Sequence, residues 1–600
     1  NSDAMSQVLS AADKDLGNIK IESEATDLGT VTVTATKPQL ELGIDRKVFN
    51  VDKNLTSTGQ TATEVMKSIP SVSVDIDGNV TLRNATPTIF VDGRPTTMTL
   101  DQIPADIIDK VEIITNPSAK YDASGGNAGI LNIVLKKNKK VGYNGGLRAG
   151  IDSRAKVNLG GDINLRQQKT NLFLSGNFNQ RKSLTTSITN YNNAATSTTP
   201  ASLVYNNSDG VSNGYFGFLR GGFDYFLDNR NTISVTGNYV RGSFDNDQPQ
   251  TTDSIVSGSF LSHTNTYSTS SSVFKNYGGQ LSFRHNFEKN GHDITADINY
   301  NNSNNNSNSN TDRYSYIPYS FTLRGFPNNP FLQQSLTNGS GNFFTAQIDY
   351  ENPISETSKF EAGTRAQIRN NANTNNLYKY DSTSKTYLQS VSSSSNYKFT
   401  DAVYAAYSTY TFKANKFNFQ LGLRAESSSY TGTLVRSTGD TSFNVKYPLS
   451  LFPSVFITYK LTDKQDLQFN YSRRVNRPNF FQLTPFPDYS TAPVYVSIGN
   501  AGLRPEFTYS FEMNYNYSYA KNSNLLISTY FKYNTDLITR YVYNGKSDLY
   551  GDILYYSYIN ASSGYSYGLE ITDKMPVTKW WDVTANVNFF NSQLNVLMKL

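Results

Sequence analysis

From about residue 141 onward, apolar and polar side chains alternate with a period of two. Ile233, Val235, Gly237 and Tyr239 alternate with Thr232, Ser234, Thr236 and Asn238, and Ile294, Ala296, Ile298 and Tyr300 with Asp293, Thr295, Asp297 and Asn299. The same pattern returns at Phe417, Phe419, Leu421 and Leu423 and at Val583, Ala585, Val587 and Phe589. Successive side chains of a strand point to opposite faces, so each segment predicts a β-strand with one greasy and one wet side. Strands of about 10 to 14 residues suit a tilted bilayer crossing better than a soluble sandwich. Short connections near 166–170, 227–231, 287–292, 413–416, 461–466 and 520–524 alternate with long ones near 182–212, 245–274, 304–342, 371–399, 475–505 and 540–563. Short turns on one side and long loops on the other predict a transmembrane antiparallel barrel. Tyr404, Tyr407, Tyr410 and Phe412 fall near strand ends, where rings can sit at the membrane interface. The run Asn302–Asn310, made only of Asn and Ser, reads as a solvated loop, with sugar or metallophore contact as the sharper alternative.

Before about residue 140 the aliphatics are denser and helix and strand signals mix. Ser73–Leu82 predicts two short strands around an Asp-Gly turn, and Thr88–Arg94 another strand ending in the same dipeptide. Asp75-Ile76-Asp77-Gly78 could open a calcium loop, but the closing bidentate Glu is missing. One helix is predicted near Ala62–Ile69, stopped by Pro70, and another near Pro104–Asp109, leading into a strand over Lys110–Thr115. These elements make a small α+β domain.

Composition narrows the chemistry. The 600 residues hold no Cys and three His, which removes disulfides, thiol nucleophiles and most imidazole chemistry, so neither enzyme activity nor a cofactor or metal is expected. Lys+Arg 54 against Asp+Glu 49 leaves only +5, thinly spread, which speaks against nucleic acid as a partner. No stretch approaches the roughly 18 apolar residues of a membrane-spanning helix. Tyr 41 and Phe 35 against Trp 2 fit a barrel with interfacial rings. Asn1–Gln7 has neither a basic nor an apolar run, so the sequence is expected to be a processed or trimmed form. About 17 barrel strands can be counted, and that odd number creates the expectation that further strands follow.

Several segments carry a family resemblance. Asp92-Gly93-Arg94-Pro95, the run Ile103–Asp122 containing Asn116, Pro117 and Tyr121, and Gly125-Gly126-Asn127-Ala128-Gly129 closely resemble the plug of TonB-dependent outer-membrane receptors. Arg473-Arg474-Val475-Asn476-Arg477-Pro478, with Arg504-Pro505-Glu506 further on, is similar to the branch of that family common in Bacteroidetes. The resemblance implies an all-β transmembrane antiparallel barrel of 22 strands, about five of them absent here, with the N-terminal α+β plug inside it. The implied organisation is 1–25 as the tail of a small β-sandwich extension, 26–37 as a TonB-box segment, 38–140 as plug and 141–600 as barrel. Gly93, Gly125, Gly126 and Gly129 allow turns and close packing, and Pro117 holds Asn116 extended, so these motif residues read first as structural.

Leu28-Gly29-Thr30-Val31-Thr32-Val33-Thr34-Ala35 alternates Thr with Val and carries no charge, as a peptide that adds a strand to a partner's sheet requires. By resemblance it is the TonB box, and the partners implied are TonB with ExbB/ExbD, outer-membrane lipid and, as a further candidate, a surface lipoprotein. The expected function is active import of a ligand across the bacterial outer membrane, captured by the outer loops and plug. Within that class, an importer of glycans or peptides stands beside a metallophore receptor; outside it stand a passive porin and an adhesin. The ligand-binding residues are not assigned by the sequence.

Overall fold

The computed structural model describes residues 40–595 except 52–60, 76–77, 84–85, 96–99, 101–102, 104, 125–128, 137–141, 194–199, 317–327, 392–393, 436–439, 486–494, 521–522, 548–550, 561–562 and 579–580. The expected sandwich tail and TonB box, residues 1–37, lie outside the described residues, as do Gly125 and Gly126.

The first elements are β1 (Leu40–Leu42), β2 (Lys47–Asn50), α1 (Ala62–Met66), β3 (Val72–Val74), β4 (Val80–Leu82), β5 (Thr88–Val91), β6 (Arg94–Pro95), β7 (Ile108–Ile114) and β8 (Ile130–Leu135). One mixed sheet runs β1-β2-β7-β8-β5-β6, and β3 pairs with β4 as a separate hairpin. Beneath the sheet, Phe49, Val65, Met66, Leu82, Ile103, Ile108, Val111, Leu131 and Ile133 form a dry core. Asp92 and Gly93 both take positive φ, 50° and 79°, as the two-residue turn between β5 and β6 requires. The expected second helix is replaced by a 3-10 turn, Ala105–Ile107, with β7 starting at Ile108. Ile108, Val111 and Ile113 are wanted in the sheet's apolar core, and that packing overrides the local helix signal.

The wall begins with β9 (Gly142–Ile151), β10 (Val157–Gln167), β11 (Thr170–Asn193), β12 (Ser202–Phe226), β13 (Asn231–Val256), β14 (Ser259–Asn286), β15 (Asp293–Tyr316), β16 (Asn328–Ser355) and β17 (Ser358–Asp381). After the short β18 (Thr386–Gln389) come β19 (Ser395–Ala414), β20 (Phe417–Leu434), β21 (Thr441–Thr462) and β22 (Gln465–Asn476). The helix α2 (Phe480–Leu483) and β23 (Tyr495–Ser497) precede β24 (Glu506–Ala520) and β25 (Ser523–Thr535), then β26 (Ile538–Ser547), β27 (Gly551–Asn560), β28 (Ser563–Pro576) and β29 (Asp582–Asn595). The long strands form a closed barrel in which each wall strand from β9 to β29 pairs antiparallel with the next, while β23, β27 and β26 make a separate three-stranded sheet. Leaving out β18, seventeen strands make up the wall among the described residues.

The barrel is inside-out relative to a soluble protein. Val235, Tyr239, Ile298, Tyr300, Leu421, Leu423, Val587 and Phe589 face outward and are exposed, whereas Asn470, Ser472, Thr508, Ser510, Asn514 and Ser528 are buried in the lumen. A lipid-facing apolar band around a polar interior is what a membrane barrel needs. Tyr404 and Tyr410 face outward, but Tyr407 lies on the other face, buried, and donates to Asp349 Oδ1 at 2.6 Å. An odd spacing along a strand puts it in the lumen rather than at the interface.

Strand length departs from the expectation of about 10 to 14 residues. β11 to β17 run 24 to 28 residues each, far beyond the roughly 9–11 that cross a bilayer. The segments read as long loops near 182–212, 245–274, 304–342 and 371–399 are therefore largely strand. Asn302–Asn310 lies inside β15, hydrogen-bonded to β14 and β16, with Asn302 opposite Tyr277 on one side and Asn342 on the other. Above the membrane both faces meet water, so no apolar period marks these residues as strand.

Candidate functional site

A cavity of about 740 Å³ occupies the lumen over the plug. Its floor is Thr86, Pro87, Thr88 and Ser124 of the plug. Alternate residues of the wall strands supply its sides: Ser303 and Asn305 of β15, Ser340 of β16, Gln367, Arg369, Asn371 and Asn373 of β17, and Tyr397, Phe399 and Asp401 of β19. The segment Asn476–Phe481 closes the remaining side.

Local structure fixes that segment. Asn479 Oδ1 accepts from the Gln482 backbone N–H at 3.0 Å and Gln482 Oε1 accepts from the Asn479 N–H at 2.9 Å, a capping box that starts α2. Leu483 is buried against Leu503, Phe399 and Tyr430, and Tyr447 donates to the Leu503 carbonyl at 3.1 Å. Phe480 is thereby held 4.6 Å from the Tyr397 ring and 4.8 Å from Phe399. One part of the wall is thus aromatic and the part beside it is amide and hydroxyl. Charge enters through Arg369, 3.9 Å from Asp401, and through Arg477.

Two clusters stand out among the contacts that fasten the plug to the wall. In the lower clamp, Arg83 reaches Glu512 of β24 at 2.9 Å and Glu570 of β28 at 3.0 Å, all three side chains almost wholly buried. Lys47 adds a contact to Glu570 at 3.5 Å, Thr115 donates to Glu512 at 3.1 Å, and Arg83 lies over the Tyr530 ring. In the seam, the Val475 N–H donates to the Ala123 carbonyl and the Ala123 N–H to Glu426 Oε1, each at 3.0 Å. Glu426 also accepts from Arg424 and Arg477. Asp122 Oδ1 accepts from the Ser124 N–H at 2.9 Å and hydroxyl at 2.6 Å. Burial alone would raise the Asp122 carboxyl, but Arg365, Arg424 and Arg477 hold it well below the usual carboxylate range. Further contacts join Asn116 to Ser472, and Ala119 N–H to Ser454 Oγ at 3.2 Å.

A second cavity, about 290 Å³, lies between plug and wall, with Arg46, Asp92, Gly93, Glu112, Lys120 and Tyr121 on one side and Gln347, Asp349 and Arg365 on the other. Burial opposes the charge on Glu112, yet Arg46, Lys110 and Asn132 lower its carboxyl below the ordinary value.

The motif residues separate on this frame. Asn476, Arg477 and Pro478 line the larger cavity, and Asp92, Gly93 and Tyr121 the smaller. Arg473 and Arg474, neighbours in sequence, part company: Arg473 lies on the outer side over the Phe507 ring at 4.2 Å, and Arg474 is buried in the lumen. Arg504 pairs with Asp536 at 2.5 Å at the surface, while Glu506 accepts from Asn476 at 2.7 Å and from the Ile538 N–H at 2.5 Å. Pro117 follows Asn116 at the clamp end of β7, Arg94 and Pro95 form β6, and Pro505 leads into β24. Gly129 takes φ 103°, and a Cβ there would stand 2.3 Å from the Ile114 carbonyl oxygen. Arg83, Glu512, Glu570, Arg424 and Glu426 were not singled out in the sequence. The only available signal was charge on the polar side of mid-strand positions, as with Arg424 and Glu426 two residues apart.

Residues 285–599 match the model of the outer membrane protein beta-barrel family. Among solved structures the chain is similar to the copper transporter OprC, at 16% identity over 93% of this chain and 80% of that chain with a TM-score of 0.60. It is also similar to the ferric enterobactin receptor of Pseudomonas aeruginosa, at 15% identity over 91% and 80% with a TM-score of 0.57. The alcaligin outer-membrane receptor of Bordetella pertussis gives 13% identity over 94% and 82% with a TM-score of 0.53. No curated protein matches the chain. At such identities the likeness is one of fold, and it reproduces the barrel and plug expected from the sequence. With the family match spanning more than half of the residues, this outer-membrane chain belongs to the outer membrane protein beta-barrel family.

Proposed function

We propose that the protein actively imports a ligand across the outer membrane, with energy coupled through TonB. The observation that carries this reading is the plug floor of the larger cavity: the plug that supplies it is bonded to the wall at the seam and the clamp. A passive pore has no use for such a floor, whereas a transporter that binds first and opens afterwards needs one. A ligand captured in the cavity favours a plug state that exposes residues 28–35, TonB pairs with them, and force from the inner-membrane assembly of TonB with ExbB/ExbD remodels the plug. The domain division 1–25, 26–37, 38–140 and 141–600 is part of this reading. The ligands of the solved neighbours are their own. Here rings beside Asn, Gln and Ser favour a polar organic molecule, a glycan or peptide, with a surface lipoprotein as a further candidate partner.

The test is binding of the full chain in detergent to the purified periplasmic domain of TonB. Deleting Leu28–Ala35 is expected to abolish that binding while leaving the thermal unfolding of the barrel unchanged; undiminished binding after the deletion would sink the coupling assignment. Native mass spectrometry of the undeleted protein identifies any lipoprotein or ligand that accompanies it.

A further inference from the structure

Charge does not balance in the seam. Arg424 is 2% exposed and Arg474 4%, and the Arg477 side chain is 8% exposed. Arg365, 7% exposed, joins them beside Asp122, and three carboxylates face the four guanidinium groups: Glu426 at 1%, Asp122 at 4% and Asp401 at 8% exposure. Both oxygens of Glu426 are taken, Oε1 by Arg424 Nε and the Ala123 N–H and Oε2 by Arg477 Nη2. Asp122 spends one oxygen on Ser124. Four guanidinium nitrogens remain buried with no acceptor among the described residues: Arg474 Nε and Nη2, Arg424 Nη2 and Arg477 Nη1. An unsatisfied buried donor is costly, and more so when it belongs to a cation. Inward placement of Arg474 is no accident of a loose loop, since it pairs with Thr508 of β24 two residues before that ladder ends, with the polar residues Ser472 and Asn470 on the same lumen-facing side.

We propose that Arg424, Arg474 and Arg477 form a binding site for a small inorganic monoanion of halide size, set where the plug loop meets the wall. Guanidinium forks converging from two strands and the segment after β22 supply directed N–H donors, which an anion accepts without being protonated. Enclosure selects for size. Arg477 also lines the larger cavity and Arg365 the smaller, while the buried Arg424 and Arg474 line neither of these two. A bound anion neutralises the excess and ties the Asp122–Ser124 loop to β20 and β22, strengthening the seam that separates the cavities.

The full chain, crystallised and soaked in bromide, is expected to show anomalous density within hydrogen-bonding distance of Arg474. In solution, the thermal midpoint is expected to be higher in potassium chloride than in potassium gluconate at equal ionic strength and pH, and the Arg474→Met variant to lose that difference. Bromide bound only at the surface, or a chloride-dependent rise that survives in Arg474→Met, overturns the proposal. If Arg474→Met does not fold, the bromide density in the unaltered protein decides alone.

Discussion

Arg83 concentrates more of the plug's attachment than any motif residue suggests. Its guanidinium meets two carboxylates, from β24 and β28, which flank β25 in the wall, and every partner is dry. Removing one side of such an arrangement leaves uncompensated buried charge, which costs about 3–5 kcal/mol. The Arg83→Met variant is therefore expected to lower the denaturant midpoint of the plug and expose it to protease while the outer wall stays intact. Adding Glu512→Gln to it, with Glu570 left to Lys47, is expected to restore part of the loss, because a neutral amide needs no counter-ion. Equal stability of Arg83→Met and the unaltered protein would show that the clamp is not an attachment. The pairing was invisible in the sequence because its members lie 429 and 487 residues apart. A single chain of letters shows which charges exist and not which of them meet.

At the scale of elements, the same alternation that revealed the strands also concealed how far they extend. Where a strand touches lipid, one face must be apolar, and Leu421 and Leu423 or Ile298 and Tyr300 announce it. Beyond the lipid the period vanishes, and β15 continues through Asn302–Asn310 as a ladder of amides and hydroxyls with no apolar signal. Asn306 separates the two readings. It is paired with Val273 on one side and Asn338 on the other, so Asn306→Pro removes a ladder donor from a central strand and is expected to destabilise the outer end of the wall by about 1–3 kcal/mol. Hydrogen exchange is expected to quicken in the flanking residues of β14 and β16; unchanged exchange would return the segment to a loop. The candidate site was legible to a similar extent. Asn476, Arg477 and Pro478 stood out as a motif and do line the cavity, whereas Ser303, Asn305, Gln367 and Tyr397 come together only through the register of β15 to β19. Register depends on strand length, and length was what the wet segments hid.

For the molecule as a whole, the attachment of plug to wall is a matter of buried charge and so depends on pH. Asp122 in the seam and Glu112 beside the smaller cavity both have carboxyls held below their ordinary values, the cations around them outweighing burial. A carboxyl depressed in the folded state binds protons more tightly when unfolded, so its contribution is fully present above the unfolded value of about 4 and is lost as pH falls through the folded value. The denaturant midpoint of the plug is accordingly expected to be flat from pH 7 to about 5 and to fall steeply below about 4. Asp122→Asn is expected to lower the midpoint at pH 7 and to shallow the acid slope, since the neutral amide has no proton to take up; a slope identical to that of the unaltered protein would exclude Asp122 as a source of it. The outer wall offers a comparison within the same molecule. Its stability comes from inter-strand hydrogen bonds and lipid-facing apolar side chains, neither of which titrates, so its heat-resistant mobility in detergent gels is expected to persist at pH values where the plug has already loosened. Plug and barrel losing structure together at every pH would instead mean that the lumen contacts, and not the wall's own ladders, hold the barrel in shape.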